Sequence, residues 1–295
     1  MICLVGEQPL PNLLPARYYE PEHVVLAYTQ TTREVSARLE RVLSRDMLVY
    51  PQEVPSYDIP ATRHILEEYI TGRGWKPAQV VFNLTGATKA MAFAAYSLAS
   101  AWQSSFVYME GEDAASKLYR YRFDLNGTVS LDGTPDYIPS VIELEDYFEA
   151  HLDSHWLGDF PTGEGGEFER VVYQTLKPAV DEIVHSVVIG GALEIDLAVR
   201  CGNQVGIAEV KKGKLVKKAI DQLNTAGRRE FLGIYTKKLL IVGKVPEDPL
   251  VSLKELAGGA EIEVIELPSY DTTGNLSGQD RERLVREVSE TLGHR

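Results

Sequence analysis

Cysteine is nearly absent: the 295 residues hold two, Cys3 and Cys201. That count excludes a disulfide framework, and the spacing excludes a cysteine-built metal cage. A reducing, cytoplasmic setting is the natural expectation. Long apolar runs are also missing. No stretch approaches the roughly 18 residues needed to cross a bilayer, so no membrane partner is expected. Met1–Val5 is apolar but short, lacks a basic flank, and runs into Gly6-Glu7-Gln8-Pro9; it reads as a first strand and not as a signal peptide. Bases are absent from one region entirely. Residues 139–169 carry nine Asp and Glu and no Lys or Arg.

What is present fits one or two folded domains, with 44% hydrophobic residues to build cores. The net charge of −13 argues at first against a nucleic-acid partner. Its distribution argues otherwise. Residues 1–138 carry 12 bases and 16 acids, and residues 170–295 carry 18 of each. The excess acid is therefore concentrated in the middle, and the neutral C-terminal part has a local basic cluster, Lys211, Lys212, Lys214, Lys217 and Lys218. Local field matters more than total charge for holding phosphate.

The first part alternates apolar runs (Ile2–Val5, His23–Tyr28, Asp46–Tyr50, Gln79–Leu84, Ser105–Met109) with helical patterns at Thr32–Ser44, Ala61–Thr71 and Thr88–Ala101. This predicts a doubly wound parallel sheet. Asn126-Gly127 between Leu118–Asp124 and Thr128–Leu131 predicts a closing hairpin. A domain over 1–138 is expected, then an acidic linker over 139–162 with one helix near 141–152, then a second domain over 163–295. That second domain reads as helix (Gly165–Leu176), strands (Ile183–Ile189, Leu193–Arg200, Gln204–Val210), helix (216–226), strand (Lys238–Val242), helix and strand (Leu250–Ala257, Glu261–Ile265) and a last helix (Gln279–Leu292). The fold class is mixed α/β.

Cys201-Gly202-Asn203-Gln204 can close a two-residue turn, with Gly202 supplying positive φ. A turn centred between Gly202 and Asn203 sets Asp196 opposite Glu209 and Glu194 opposite Lys211. By period-two alternation these four share a face, and Ile195, Leu197, Ala208 and Val210 share the other. Two carboxylates about 5 Å apart at Cβ repel unless a cation joins them. A hard divalent ion held by oxygen would join them, with a lysine alongside to orient or deprotonate water and offset phosphate charge. The alternative is an exposed strand face with an ion-pair ladder.

These residues resemble the PD-(D/E)xK nuclease superfamily. The matching pieces are Ile195-Asp196 and, thirteen positions on, Glu209-Val210-Lys211, with Glu169 in an upstream helix and Gln222 in the helix that follows. The resemblance implies Asp196, Glu209 and the Val210 carbonyl as ligands for Mg or Mn. It implies Lys211 as the water-orienting lysine and Glu169 and Gln222 as accessory active-site groups. Lys212, Lys214, Lys217 and Lys218 would grip the substrate backbone, or else form a solvated helix start.

In the first domain, Asn83-Leu84-Thr85-Gly86-Ala87-Thr88-Lys89 runs from a strand through small residues into a helix. Ligands bind at the carboxyl ends of strands in such sheets, and a helix start suits phosphate. The glycine spacing of a Walker A loop is missing, and Thr88 can also be read as an N-cap. Gly6-Glu7-Gln8-Pro9-Leu10-Pro11-Asn12 follows the first strand, and both loops share a rim if the first and fourth strands are neighbours. Together the two loops resemble the CARF family, sensors of cyclic oligoadenylates in type III CRISPR defence. Many members carry a second glycine where this chain has Ala87. The pieces around Leu4–Pro9 and Pro11-Asn12 resemble a subgroup that fuses CARF to a PD-(D/E)xK nuclease. The resemblance implies a homodimer binding cyclic tetra-adenylate through Gly6, Glu7, Gln8, Pro11, Asn12, Thr29, Asn83, Thr85, Gly86, Ala87, Thr88 and Lys89, and cleaving DNA or RNA when activated. Two other readings stay open: a ligand-binding regulator with a non-catalytic nucleic-acid-binding domain, and a repair or restriction nuclease needing no ligand.

Overall fold

The computed structural model describes residues 1–110, 116–124, 126–191, 193–212, 217–243, 250–270 and 274–293, and side chains at 250–254 fall outside that description. The chain forms two compact units, Met1–Ile142 and Glu143–Arg295. Among the described residues no helix is long and apolar enough to cross a membrane.

The first unit is an eight-stranded sheet. Its parallel part comprises β1 (Ile2–Leu4), β2 (His23–Tyr28), β3 (Leu48–Glu53), β4 (Phe82–Asn83) and β5 (Phe106–Glu110). The antiparallel strands β6 (Lys117–Phe123), β7 (Val129–Leu131) and β8 (Asp136–Tyr137) complete it. The order is β3-β2-β1-β4-β5-β6-β7, with β8 on β6. Sequence order therefore reverses between β1 and β4, which pair in parallel at Ile2↔Phe82 and Cys3↔Asn83. Such a reversal opens a crevice at the strands' carboxyl ends. The expected doubly wound sheet and its closing hairpin are both present.

Three of the unit's helices, α2 (Arg33–Leu43), α3 (Ile59–Gly72) and α4 (Lys89–Trp102), match the expected patterns. A fourth, α1 (Leu10–Tyr19), begins inside the loop expected over Gly6–Asn12 and continues through residues with no expected element. Its prolines mask it. Pro11 sits in the first turn, where no N–H is needed. Pro15 lies inside the helix and leaves the Pro11 carbonyl without its i+4 donor. The Asn83 Nδ2 supplies that donor instead, at 2.8 Å.

The second unit has a six-stranded sheet in the order β14-β13-β12-β11-β10-β9. The strands are β9 (His155–Leu157), β10 (Glu182–Ile189), β11 (Leu193–Cys201), β12 (Gln204–Lys211), β13 (Lys237–Val242) and β14 (Ile262–Glu266). β9 to β12 are mutually antiparallel, and β12 to β14 parallel. Helices α6 (Glu164–Leu176) and α9 (Gly278–Thr291) bury Phe168, Val172, Leu176, Leu284 and Val288 against Leu197, Val199, Ala208, Val210, Leu239 and Ile241. Helix α7 (Lys217–Ala226) packs on β11, β12 and β13, and α8 (Leu250–Gly259) on β14.

The acidic stretch 139–162, expected as a linker, is for the most part built into this unit. Residues 143 onward contribute α5 (Leu144–His151), whose Tyr147 and Phe148 are fully buried, and the edge strand β9. Tyr147 donates to the Leu232 carbonyl at 3.0 Å and lies 2.7 Å from Thr236 Oγ1. The run of acids without a base suggests a solvated linker, but in the helix Glu145 is exposed and Glu149 half-buried, while Asp146 is buried with Leu144, Tyr147, Phe148 and Ala150.

Candidate functional site

The hairpin at Gly202-Asn203 forms in the expected register, from Cys201↔Gln204 to Leu197↔Ala208. Gly202 has φ +59 and Asn203 no positive φ, the pattern of a turn needing glycine only at its first central position. Beyond Leu197↔Ala208 the ladder stops. The expected direct oppositions of Asp196 to Glu209 and Glu194 to Lys211 are therefore absent from it. The side chains converge all the same. Lys211 Nζ lies 2.8 Å from Asp196 Oδ2 and 2.8 Å from Glu209 Oε2. The Val210 N–H donates to Asp196 Oδ2 at 2.7 Å. Asp196 and Glu209 are buried, and Glu194 is exposed on the ladder with β10, opposite Val188.

The cation joining the two acids in this structure is Lys211 itself. Burial by itself would lower the lysine's pKa, but Asp196 and Glu209 outweigh it and hold the ammonium well above its ordinary range. Glu209 moves up to about 8, chiefly through burial and secondly through the Asp196 charge, with Lys211 opposing. Glu169, on α6, rises to about 7 for the same leading causes. Glu169 is buried on α6, which packs on β12; the Asp196 and Glu194 charges push it up and Lys211 opposes them. Gln222 donates from Nε2 to the Glu194 carbonyl at 2.8 Å and so ties α7 to the start of β11.

Neither oxygen of Glu209 makes a well-aligned hydrogen bond, although Oε2 forms the ion pair with Lys211, and Oε1 is buried without a partner. A buried carboxyl oxygen without a partner beside a second acid fits a hard divalent cation, which would take the place of the Glu209 proton. Among the described residues no group of three or more His, Cys, Asp or Glu side chains is arranged to hold a metal. Protein ligation here would thus rest on two carboxylates and a main-chain oxygen. Of the basic residues, Lys212 pairs with Glu164 at 2.7 Å, Lys217 and Lys218 are exposed at the start of α7, and Lys214 lies outside the described residues. The Lys212–Glu164 pair had no signal in the sequence, because 48 residues separate the partners.

In the first unit, the loops after β1 and β4 meet at the switch point. A Cβ on Gly86 would lie 2.3 Å from the Leu4 carbonyl oxygen, and one on Gly6 2.8 Å from the Ala87 nitrogen. Only glycine permits that approach. Asn83 is wholly buried and donates to the Pro11 carbonyl and to Asn12 Oδ1, while its Oδ1 accepts from the Thr85 N–H and hydroxyl. Asn12, also wholly buried, donates to the Leu4 carbonyl at 2.8 Å. Thr85 Oγ1 accepts from the Met109 N–H. Asn12, Asn83 and Thr85, expected on the ligand, here use polar atoms to fasten the rim together. Thr88 caps α4 by accepting from the Met91 N–H, and its hydroxyl donates to Ser56. Thr29 is buried behind β2 in contact with Thr31 and Thr32. Pro11 is buried, whereas Gly6, Glu7, Gln8, Gly86, Ala87 and Lys89 lie partly or fully open along the rim. Ala87 stands at φ +71, a conformation that favours glycine.

Three solved structures share the fold over essentially the whole chain. Can2 from Sulfobacillus thermosulfidooxidans, in complex with cyclic tetra-adenylate, matches at 16% identity and a TM-score of 0.73, covering 99% of this chain and 98% of its own. The protein VC1899 from Vibrio cholerae matches at 13% identity and 0.75, covering 100% and 98%. A type III CRISPR defence DNA nuclease activated by cyclic oligoadenylate matches at 15% identity and 0.65, covering 99% of this chain and 51% of that longer one. No curated protein matches in sequence. Residues 1–147 match the family described as the Card1 CARF domain. The rim between β1 and β4 is thus the rim of a CARF fold, and the chain is a CARF-domain protein.

Proposed function

We propose that the chain is a metal-dependent nuclease, active as a cytoplasmic homodimer and switched on by a cyclic oligoadenylate, cyclic tetra-adenylate foremost, in type III CRISPR defence. The observation that carries this reading is the meeting of Asp196, Glu209 and Lys211 within 2.8 Å at the point where β11 and β12 part. Asp196, Glu209 and the Val210 carbonyl would hold Mg or Mn. Such an ion supplies charge stabilisation at a phosphoryl oxygen and acidifies water.

The chain's own groups do the rest. Lys211, fixed between the acids, donates hydrogen bonds to the attacking water and offsets the charge gathering on phosphate. Glu169, with a pKa near neutrality, can hold or release a proton beside the cluster. Gln222 keeps the start of β11 in place. Lys217 and Lys218 grip the backbone of DNA or RNA, and Lys212 can exchange Glu164 for a phosphate. In the CARF unit, Gly6, Glu7, Gln8, Gly86, Ala87, Thr88 and Lys89 take the ligand, with Asn12, Thr29, Asn83 and Thr85 shaping the rim behind them. A near two-fold cyclic ligand suits an isologous dimer. Its activating effect equals its differential affinity for active and inactive states.

The test is cleavage of single- and double-stranded DNA and RNA by the purified chain with Mn, with and without cyclic tetra-adenylate, beside Glu209→Ala. Ligand-dependent cleavage lost in the variant is expected; no cleavage of any substrate would overturn the proposal. One observation favours a non-catalytic regulator: Lys211 already neutralises the acid pair without an added ion. Manganese titration separates the two readings, since a regulator need not bind the ion at Asp196.

A further inference from the structure

Asp196 interrupts its sheet on both sides. On β10, His185 pairs with Leu197 and Val187 with Ile195, but Ser186 and Asp196 between them make no pair. On β12 the ladder ends at Leu197↔Ala208, although β12 continues against β13 to Lys211↔Val242. The residue opposite Asp196, Ser186, has φ +51. Among the described residues, the other non-glycine positive φ values fall at Glu20 and Gln103, which end helices, and at Ala87 and Glu261 outside any strand. Ser186 alone sits inside a strand. It is buried and held from the segment after β9: its hydroxyl donates to the Asp159 carbonyl at 3.0 Å, and its carbonyl accepts from the Gly158 N–H at 2.8 Å. A left-handed residue in mid-strand costs energy and persists only where its surroundings fix it.

We propose that Ser186 is a positioning residue for Asp196: its left-handed turn, pinned by residues 158–159, lifts Asp196 out of the ladder so that its carboxylate reaches β12. There Oδ2 accepts the Val210 N–H and the Lys211 ammonium. In an unbroken hairpin a β11 main-chain carbonyl would be the natural acceptor for a β12 N–H. Here the carboxylate takes that role, which points Asp196 at the Glu209–Lys211 pair. The inference rests on the metal-site reading for its functional meaning, but the geometry it explains is independent of any ion.

The experiment is a series at one position in the full chain, Ser186→Gly, Ser186→Asn, Ser186→Ala and Ser186→Val, ordered by falling tolerance of positive φ. Two quantities are read on variants shown folded by circular dichroism: the Mn dissociation constant by calorimetry, and the NMR shift and exchange protection of the Val210 amide. Gly and Asn are expected to keep both, whereas Ala and more so Val weaken Mn binding about tenfold or more and move the Val210 amide toward an unbonded shift. If Val fails to fold, Ala carries the comparison. A folded Ala or Val variant with unchanged Mn affinity and an unchanged Val210 amide overturns the proposal, as does a Gly variant as impaired as Val. Asp196→Ala is the control for the underlying reading. If it binds Mn like the parent while the Val210 amide still follows the Ser186 series, the metal assignment fails and the positioning role stands.

Discussion

At the scale of single residues, the second unit's cluster is governed by burial of charge. Glu209 and Glu169 both hold protons more tightly folded than unfolded, with folded values of about 8 and about 7 against an ordinary 4.5. The unfolded chain therefore binds fewer protons across that interval, and stability falls as pH climbs from about 4.5 toward 8. We expect thermal melts of the metal-free protein to show this decline, and Glu209→Gln to flatten most of it while abolishing cleavage. A cation must displace the same protons, so Mn affinity should rise between pH 6 and 8 in the parent and lose much of that rise in Glu209→Gln. Ala87 poses the opposite kind of problem. Its φ of +71 stores strain of roughly 1–2 kcal/mol for a non-glycine residue, and glycine returns about 0.5–1 kcal/mol of that to the unfolded chain's entropy. Ala87→Gly should raise the melting temperature by up to a few degrees and leave cyclic tetra-adenylate binding intact by calorimetry.

At the scale of elements, the CARF rim is one junction made from two loops and a proline-broken helix. Pro15 leaves a carbonyl that Asn83 must satisfy, and Asn83 also anchors Asn12 and Thr85. Asn83→Ala removes four such bonds at a buried point, and a loss of about 2–4 kcal/mol follows from roughly 1 kcal/mol each. Urea melts should show it, together with weakened ligand binding. Gly86→Ala should be worse, because its Cβ would meet the Leu4 carbonyl at 2.3 Å in backbone that cannot move aside. Whatever followed short-range rules was readable in advance. Gly202 fixed the turn, the turn fixed the register, and the register brought Asp196, Glu209 and Lys211 close. The apolar strands between helical periods likewise foretold the parallel sheet. What depended on tertiary compensation was hidden. The α1 helix needs Asn83 from 68 positions away to tolerate Pro15, and the acids of 143–162 disguised a buried helix face. The bridging of both carboxylates by Lys211 arises from the parting of β11 and β12, which pairwise register alone does not convey.

At the scale of the whole molecule, the division falls after Ile142 and not in a free connector ending near 162. The difference has physical content. A fragment starting at residue 163 would lack β9, leaving β10 as an open edge strand, and would lack Tyr147, whose ring is buried and whose hydroxyl meets Leu232 and Thr236. Removing one large buried aromatic side chain typically costs about 3–5 kcal/mol, comparable to the stability of a small domain. Phe148 and the three-residue strand would be lost with it. We therefore expect residues 143–295 to express as a cooperatively folding unit with the Asp196–Glu209–Lys211 cluster intact, and residues 163–295 to be insoluble or molten by near-ultraviolet circular dichroism. The longer fragment should bind Mn with an affinity indifferent to cyclic tetra-adenylate, because the nucleotide site proposed above lies within residues 1–142. A folded 163–295 fragment would relocate the boundary. A 143–295 fragment that still responded to the nucleotide would mean that the CARF rim is not where the ligand acts.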